Sequence, residues 1–308
     1  MATWVWLSLG GALLQNLRSS VQKRLTGRLS TGGAAATRFL YGLPFAAAWL
    51  AALSFATDTP PPLPNGCFWG FVLGGSLSQI AATLCLLATF SRRSFAVGTT
   101  YSKTEGIQTA LFGWVLLGDR VGPFGLVGIG LTVAGVLSVS LARVGKGGGG
   151  TGGASGAVSR GARQEAIALG LLSGAMFALS AVAYRGASLA LGEEDFLLRA
   201  AVTLCVALGI QSVAMGAGLR WREPGELSRV ATLWRAGILA GASGAAASAC
   251  WFTAFTLIGA AYVKAVGSVE LAFALLTSWV VFRETPSPGE IGGIALVAVG
   301  VVVTVLSR

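Results

Sequence analysis

Residues 101–119, YSKTEGIQTALFGWVLLGD, read as most of a membrane-spanning helix that carries Lys103 and Glu105 close to its middle. Insertion scales charge about 2.5–3.5 kcal/mol for each ion at the centre of such a helix. A chain that keeps two of them in one span has to give them partners or water. What surrounds this stretch therefore decides how the rest of the chain is read.

The composition supports the membrane reading. Of 308 residues 54% are apolar and only 11% charged, and the mean hydropathy is +0.73, whereas soluble domains carry about a quarter charged residues. Apolar stretches of about 20 residues, enough for a hydrocarbon core roughly 30 Å thick, recur along the whole chain. The N-terminal MATWVWLSLGGALLQNL lacks a basic leading segment and a small-residue cleavage site, so it is expected to be a retained first span. The net charge of +10 is expected to lie in loops on one side of a membrane. No basic stripe interleaves with aromatics, which argues against a nucleic-acid partner. Cys67, Cys85, Cys205 and Cys250 fall inside apolar spans without CxxC spacing, and the chain has no histidine. Neither disulfides nor a thiolate or imidazole metal site are expected, and no cofactor is implied.

Hydropathy divides the chain into ten expected helices, over 3–22, 34–56, 67–90, 95–117, 122–142, 165–188, 196–218, 233–257, 259–282 and 288–306. Between the fifth and sixth, VGKGGGGTGGASGAVSRG (144–161) reads as a flexible linker. It separates a first five-helix repeat, 1–143, from a second, 162–308. Shifting one half by 165 residues superposes Glu105 on Glu270, Trp114 on Trp279, Asp119 on Glu284, Pro123 on Pro288, Gly128 on Gly293, Gly135 on Gly300, Cys85 on Cys250 and Arg143 on Arg308. Shared apolar composition does not account for coincident acids, tryptophans and prolines. With an offset of 161, Arg38 also falls on Arg199.

Five spans is an odd number, so the second copy must cross the membrane in the opposite sense. Loop charges agree. Lys23, Arg24 and Arg28 in the first loop face Glu193, Glu194 and Asp195 in its counterpart; Asp58 stands against Arg220, Arg222 and Arg229; and Arg92 and Arg93 stand against an uncharged loop. The positive-inside rule then puts both termini outside. The expected architecture is an all-α integral membrane protein of ten helices in two inverted repeats. Spacings such as Gly170/Gly174, Gly237/Gly241 and Gly125/Gly128 read as close helix packing in lipid.

Counted from residue 95 at 1.5 Å per residue, Lys103 lies about 12 Å and Glu105 about 15 Å into the fourth span. Glu270 has the same depth in the ninth, and Lys264 sits one turn from the position equivalent to Lys103. On one continuous helix Lys103 and Glu105 point about 200° apart and cannot pair. The partners offered by a twofold axis are Lys103 with Glu270 and Lys264 with Glu105. They form either buried pairs that fix helix register or the lining of a functional cavity. Gln15, Asn16, Gln79, Tyr101, Gln108, Gln211 and Tyr262 are further polar candidates. Arg18 is expected to snorkel, Arg38 and Arg199 to act as interfacial anchors, and Asp119 and Glu284 to hold tight turns.

An acid in the middle of the fourth helix of each half, then Trp, a terminal acid in LLGDRVGP or VVFRETPSP, and a Gly-rich fifth helix resemble the EamA-type transporters of the drug/metabolite transporter superfamily. In that family proline often follows the acid. Here Gly106 and Leu271 stand there, which removes the ordinary reason for a helix break. The resemblance implies secondary transport of a small metabolite, often export, from a central cavity, with rocking of spans 1–5 against 6–10. Lys103 and Lys264 are then expected to hold a carboxylate, Glu105 and Glu270 to carry protons, and Tyr101, Tyr262 and Trp251 to stack on an apolar moiety. A site of both signs suits a zwitterion such as an amino acid. The expected setting is a bacterial inner membrane, with lipids and a small solute as partners and a monomeric or homodimeric state. The weaker alternatives are a passive channel or lipid scramblase, and after them a membrane-embedded enzyme, for which no acid/base constellation, GxSxG elbow or Walker loop is present.

Overall fold

The computed structural model describes residues 3–25, 28–90, 101–145, 160–192, 195–282 and 285–308. Among them thirteen helices follow one another: α1 (Thr3–Leu25), α2 (Thr31–Leu40), α3 (Gly42–Thr57), α4 (Gly66–Phe90), α5 (Glu105–Leu117), α6 (Pro123–Gly145), α7 (Arg160–Ala190), α8 (Phe196–Arg222), α9 (Glu226–Thr232), α10 (Trp234–Leu257), α11 (Ala260–Gly267), α12 (Glu270–Phe282) and α13 (Pro288–Leu306). The linker expected over 144–161 lies, apart from its ends, outside the described residues, as do Arg92, Arg93, Glu193, Glu194 and Glu284.

Among the described residues, seven segments are long and apolar enough to cross a membrane: Thr31–Thr57, Gly66–Leu86, Pro123–Ala142, Gln164–Ala190, Phe196–Arg222, Trp234–Leu257 and Pro288–Leu306. The sequence reading has ten, and three local causes account for the difference. Helix α1 has the length, but Gln15, Asn16 and Arg18 dilute its apolar run. The expected fourth and ninth spans are each interrupted, leaving α5 and α12 at 13 residues apiece. The expected second span is also bent at Tyr41 between α2 and α3. Pro44 has no N–H to offer the carbonyl of residue 40, while Tyr41 stays helical at φ −84°, ψ −15°, so the chain kinks without ending the span.

By internal contacts the chain forms two compact units, one of residues 1–77 and 183–258, the other of 78–182 and 259–308. Each takes segments from both sequence halves. In the first unit α1 lies along α10, with Gly10 and Gly11 against Cys250 and Trp251. Its apolar core gathers Phe39, Phe68, Val72, Tyr184, Leu204 and Phe252. The short helix α9, where the sequence suggests only a loop, sets the buried Glu226 carboxylate to accept from the Ser30 N–H at 2.5 Å, just ahead of α2.

In the second unit α6 and α13 pack along their lengths. A Cβ on Gly128 would strike Thr304 and Gly300, and one on Gly300 would strike Thr132 and Gly128; one on Gly135 would come within 2.6 Å of the Gly293 carbonyl, and one on Gly293 within 2.9 Å of the Gly135 carbonyl. Early residues of α6 thus meet late residues of α13, so the two helices run antiparallel. Exchanging equivalent positions at the 165-residue offset maps this set of contacts onto itself: 128 with 300 becomes 293 with 135. The glycines are required by backbone-to-backbone approach, the packing that small residues permit where no hydrophobic force separates helix from lipid.

Gly135→Val is expected to lower stability in detergent by at least about 2 kcal/mol, the scale of an overpacked interface. Gly130→Val, on the same helix with nothing within 4 Å of a Cβ, should change it by less than about 0.5 kcal/mol, as at a free surface. Thermal unfolding of the two purified variants checks this, and equal losses would remove the close-approach argument.

Candidate functional site

Glu105 and Glu270 are the first residues of α5 and α12. Each follows a two-residue turn, Lys103–Thr104 in one case and Ser268–Val269 in the other, at equivalent positions of the two halves. The missing proline argues for unbroken spans, and the structure corrects that: both are broken. Hydroxyl groups and tightened backbone bonds do the work a proline would do. Thr104 Oγ1 donates to the Tyr101 carbonyl at 2.8 Å and Ser268 Oγ to the Lys264 carbonyl at 3.1 Å, local bonds that compete with the helix ladder. The amides of Thr104, Ser268 and Val269 donate three residues back, to Tyr101, Ala265 and Val266. This 3₁₀-like tightening marks a change of helix axis.

Each break sets a charge where the half-helix favours it. The two glutamates occupy helix N-termini, and Lys264 lies in the last turn of α11. Carboxylates at N-termini and ammonium groups at C-termini gain about 0.3–1 kcal/mol apiece from the unsatisfied peptide dipoles. The charges then cross-pair. Lys103 Nζ stands 2.9 Å from Glu270 Oε1, and Lys264 Nζ 3.6 Å from Glu105 Oε1. These are the two pairings that the repeat offset suggests. All four side chains keep between 22% and 32% of their surface exposed, so they are largely covered but not sealed. On α5 the exposed face carries Ile107, Leu111, Trp114 and Val115, while Gly106, Thr109 and Gly113 are buried. Apolar groups face out and small or polar ones face in, as a lipid-facing helix requires.

The other candidates divide. Tyr101 and Gln108 flank the α5 break and are half-buried. Helix α7 approaches there closely enough that a Cβ on Gly174 would lie 2.8 Å from the Ser102 carbonyl and 3.0 Å from Gln108 Oε1. Gln108 Oε1 is buried and has no hydrogen-bond partner among the described residues, an acceptor free for a donor group. Tyr262 does not join them. It is 2% exposed, the Arg308 guanidinium covers its ring at 4.2 Å, and it lines a small cleft with Thr109, Gly113, Asp119 and Gly259. Its chain neighbours Ala261 and Val263 are core residues too. Gln15, Asn16 and Trp251 belong to the first unit, where Trp251 stacks on Phe255 and packs on Gly11. Asp119 does end α5 in a tight turn: Gly118 takes φ +69° and the Asp119 amide donates to the Gly113 carbonyl at 3.0 Å. Thr104 and Ser268 are the site residues that sequence reasoning missed. Their signal is a hydroxyl immediately before the acid in one half and two residues before it in the other.

No curated protein matches this chain. Among solved structures, one titled only "Crystal structure of protein" superposes with a TM-score of 0.72 over 99% of this chain and 98% of its own, at 17% identity, a likeness of fold alone. The model of the EamA-like transporter family matches residues 2–141 and again 164–306, one match to each half of the chain. With a family model covering nearly all its length in two copies, the chain belongs to the EamA-like transporter family and is an integral membrane transporter of the drug/metabolite transporter superfamily.

Proposed function

We propose that the protein is a secondary active transporter that exports a small zwitterion, an amino acid or a similar metabolite, across a bacterial inner membrane by alternating access. The observation that carries this reading is the crossed pair of Lys–Glu contacts at two helix breaks in mid-span. Half-helix ends that aim charge at the membrane midplane are the usual way such carriers build a solute site. A solute with both signs can replace each pair in turn, its carboxylate on Lys103 or Lys264 and its ammonium on Glu270 or Glu105, so no ion is left bare at any stage. Tyr101 and Gln108 lie at the same break and supply polar contacts beside it.

The two halves, 1–143 and 162–308, are read as inverted five-span repeats, giving ten spans with both termini outside. The antiparallel, self-mapping contacts of α6 with α13 support the inversion, and the broken spans explain why fewer than ten helices reach full length. Alternating access is read as rocking of spans 1–5 against spans 6–10. Glu105 and Glu270 are read as the proton carriers.

Two outcomes follow. In vesicles with an imposed pH gradient, Glu105→Gln and Glu270→Gln are expected to lose at least about tenfold in gradient-driven uptake of a zwitterionic amino acid panel while still folding, a loss of the order of one removed charge-assisted bond; normal uptake by both variants would end the proton role. A C-terminal reporter active only outside the cytoplasm should be active when fused after Arg308. A cytoplasmic reading would overturn the orientation.

A further inference from the structure

Three membrane-crossing segments of the first unit share one end: Thr31–Thr57 and Trp234–Leu257 begin where Phe196–Arg222 stops. Side-chain contacts hold that end together. A Cβ on Gly32 would lie 3.1 Å from Leu219 Cδ2 and 3.2 Å from Glu223 Oε1, at the end of α8, and Leu29, Val230 and Leu233 pack in one apolar cluster. Helix α9 is fastened there at two points. Glu226 accepts from the Ser30 amide, and the Tyr41 hydroxyl donates to the Val230 carbonyl at 3.1 Å. With Glu226 and Val230 buried, the Arg229 side chain is left 72% exposed.

Arginine dominates this end. Arg24 and Arg28 lie where α1 turns into α2, Arg220 and Arg222 in the last turn of α8, and Arg235 at the start of α10; like Arg229, all are exposed. The described acids beside them are Glu223 and Glu226, and Glu226 is buried on Ser30 and Arg229. At the opposite ends of the same spans the described charges balance. Asp58 and Asp195 stand at helix ends, while Arg185 and Arg199 donate to the Phe255 and Gly192 carbonyls. Arg18 and Arg38, expected at the interface from sequence, lie deeper and take no part: a Cβ on Gly244 of α10 would be 3.1 Å from Arg18 Cδ and 3.7 Å from Arg38 Cβ.

Two tryptophans fix the depth of the arginines. Trp221 and Trp234 are 81% and 51% exposed, with the Arg222 guanidinium 5.9 Å from one ring and that of Arg235 5.3 Å from the other. Exposed tryptophan at a span end belongs at the level of lipid headgroups, and a guanidinium over its ring is held at the same level. We infer that this end of the first unit is a binding surface for the headgroups of anionic phospholipids. A phosphodiester accepts from the arginine forks, and clustered basic residues at span ends attract anionic lipid. Ile238, one turn from Trp234 on the same face of α10, and Leu239 beside it are exposed as well. They give the acyl chains an apolar surface next to the charges, which a dissolved anion would not use. The inference rests on the chain lying in a membrane and is independent of what it transports.

The full chain is reconstituted in phosphatidylcholine vesicles carrying brominated phosphatidylglycerol or, as reference, brominated phosphatidylcholine, and quenching of tryptophan fluorescence reads the relative lipid affinity. The wild type is expected to prefer phosphatidylglycerol at least about fivefold, and Arg222→Gln/Arg235→Gln less than about twofold. Arg120→Gln, an exposed arginine of the second unit, should leave the preference unchanged. Trp221→Phe/Trp234→Phe, which keeps every arginine, should remove most of the phosphatidylglycerol-selective quenching, and Arg222→Lys/Arg235→Lys should retain the preference, separating loss of charge from loss of fold. Equal quenching by both lipids in the wild type, or a preference that survives in Arg222→Gln/Arg235→Gln, overturns the surface. A preference abolished by inorganic phosphate but not by sodium chloride at matched ionic strength assigns the arginines to a dissolved oxyanion and overturns the lipid. No transported solute enters this measurement, so its outcome is separate from that of the Glu105 and Glu270 variants.

Discussion

An ion at the middle of a bilayer has to be neutralised by a neighbour or reached by water, and much of this fold answers to that demand. Two lysines and two glutamates left facing lipid would cost on the order of 10 kcal/mol, comparable with the whole net stability of a protein. On a continuous helix Lys103 and Glu105 cannot help one another. Partners must come from the other half of the chain, which is possible because Glu270 has the depth of Glu105, and Lys264 lies about one turn from the position equivalent to Lys103, in a second copy of the same span. The 2.9 Å and 3.6 Å contacts express a requirement already present in the repeat.

The breaks at Lys103–Thr104 and Ser268–Val269 serve the same demand at the level of backbone. Each ends one stack of peptide dipoles and starts another, so a carboxylate acquires a helix N-terminus as neighbour and Lys264 a C-terminus. Broken backbone is tolerable at membrane depth only where it is shielded from lipid or hydrated. Hydroxyls of Thr104 and Ser268 satisfy carbonyls at the turns. The same segments that pair charge are therefore also the ones where the helix ladder is interrupted.

Much of this is legible in the sequence, and the parts that are not have identifiable causes. Glu105 with Lys264 and Glu270 with Lys103 follow from charge, depth and the 165-residue offset. The small-residue packing of Gly128, Gly135, Gly293 and Gly300 follows from spacing. The breaks do not, because the familiar signal is proline and these turns are made by hydroxyl groups and short backbone bonds that resemble ordinary helix composition. The fate of Tyr262 was illegible for another reason: its ring is buried under Arg308, a contact between residues 46 positions apart. Arg18 and Arg38 read as interfacial because each sits one to two turns inside a helix end. Only the fold shows that both turn onto Gly244. The grouping into 1–77 with 183–258 and 78–182 with 259–308 cuts across the halves that sequence order suggests, since order along the chain does not fix which antiparallel neighbours pack.

The central claim is that opposite charges from the two repeats hold each other at the broken helices. A double-mutant cycle on Lys103→Glu and Glu270→Lys tests it by comparing the unfolding free energy of the wild type, each reversal and the exchange. Each single reversal should destabilise strongly by setting like charges side by side, and the exchange should recover stability with a coupling energy of at least about 1.5 kcal/mol, within the range seen for contacting residues. Additive losses, with the exchanged protein no more stable than the sum of the single reversals predicts, would contradict the account.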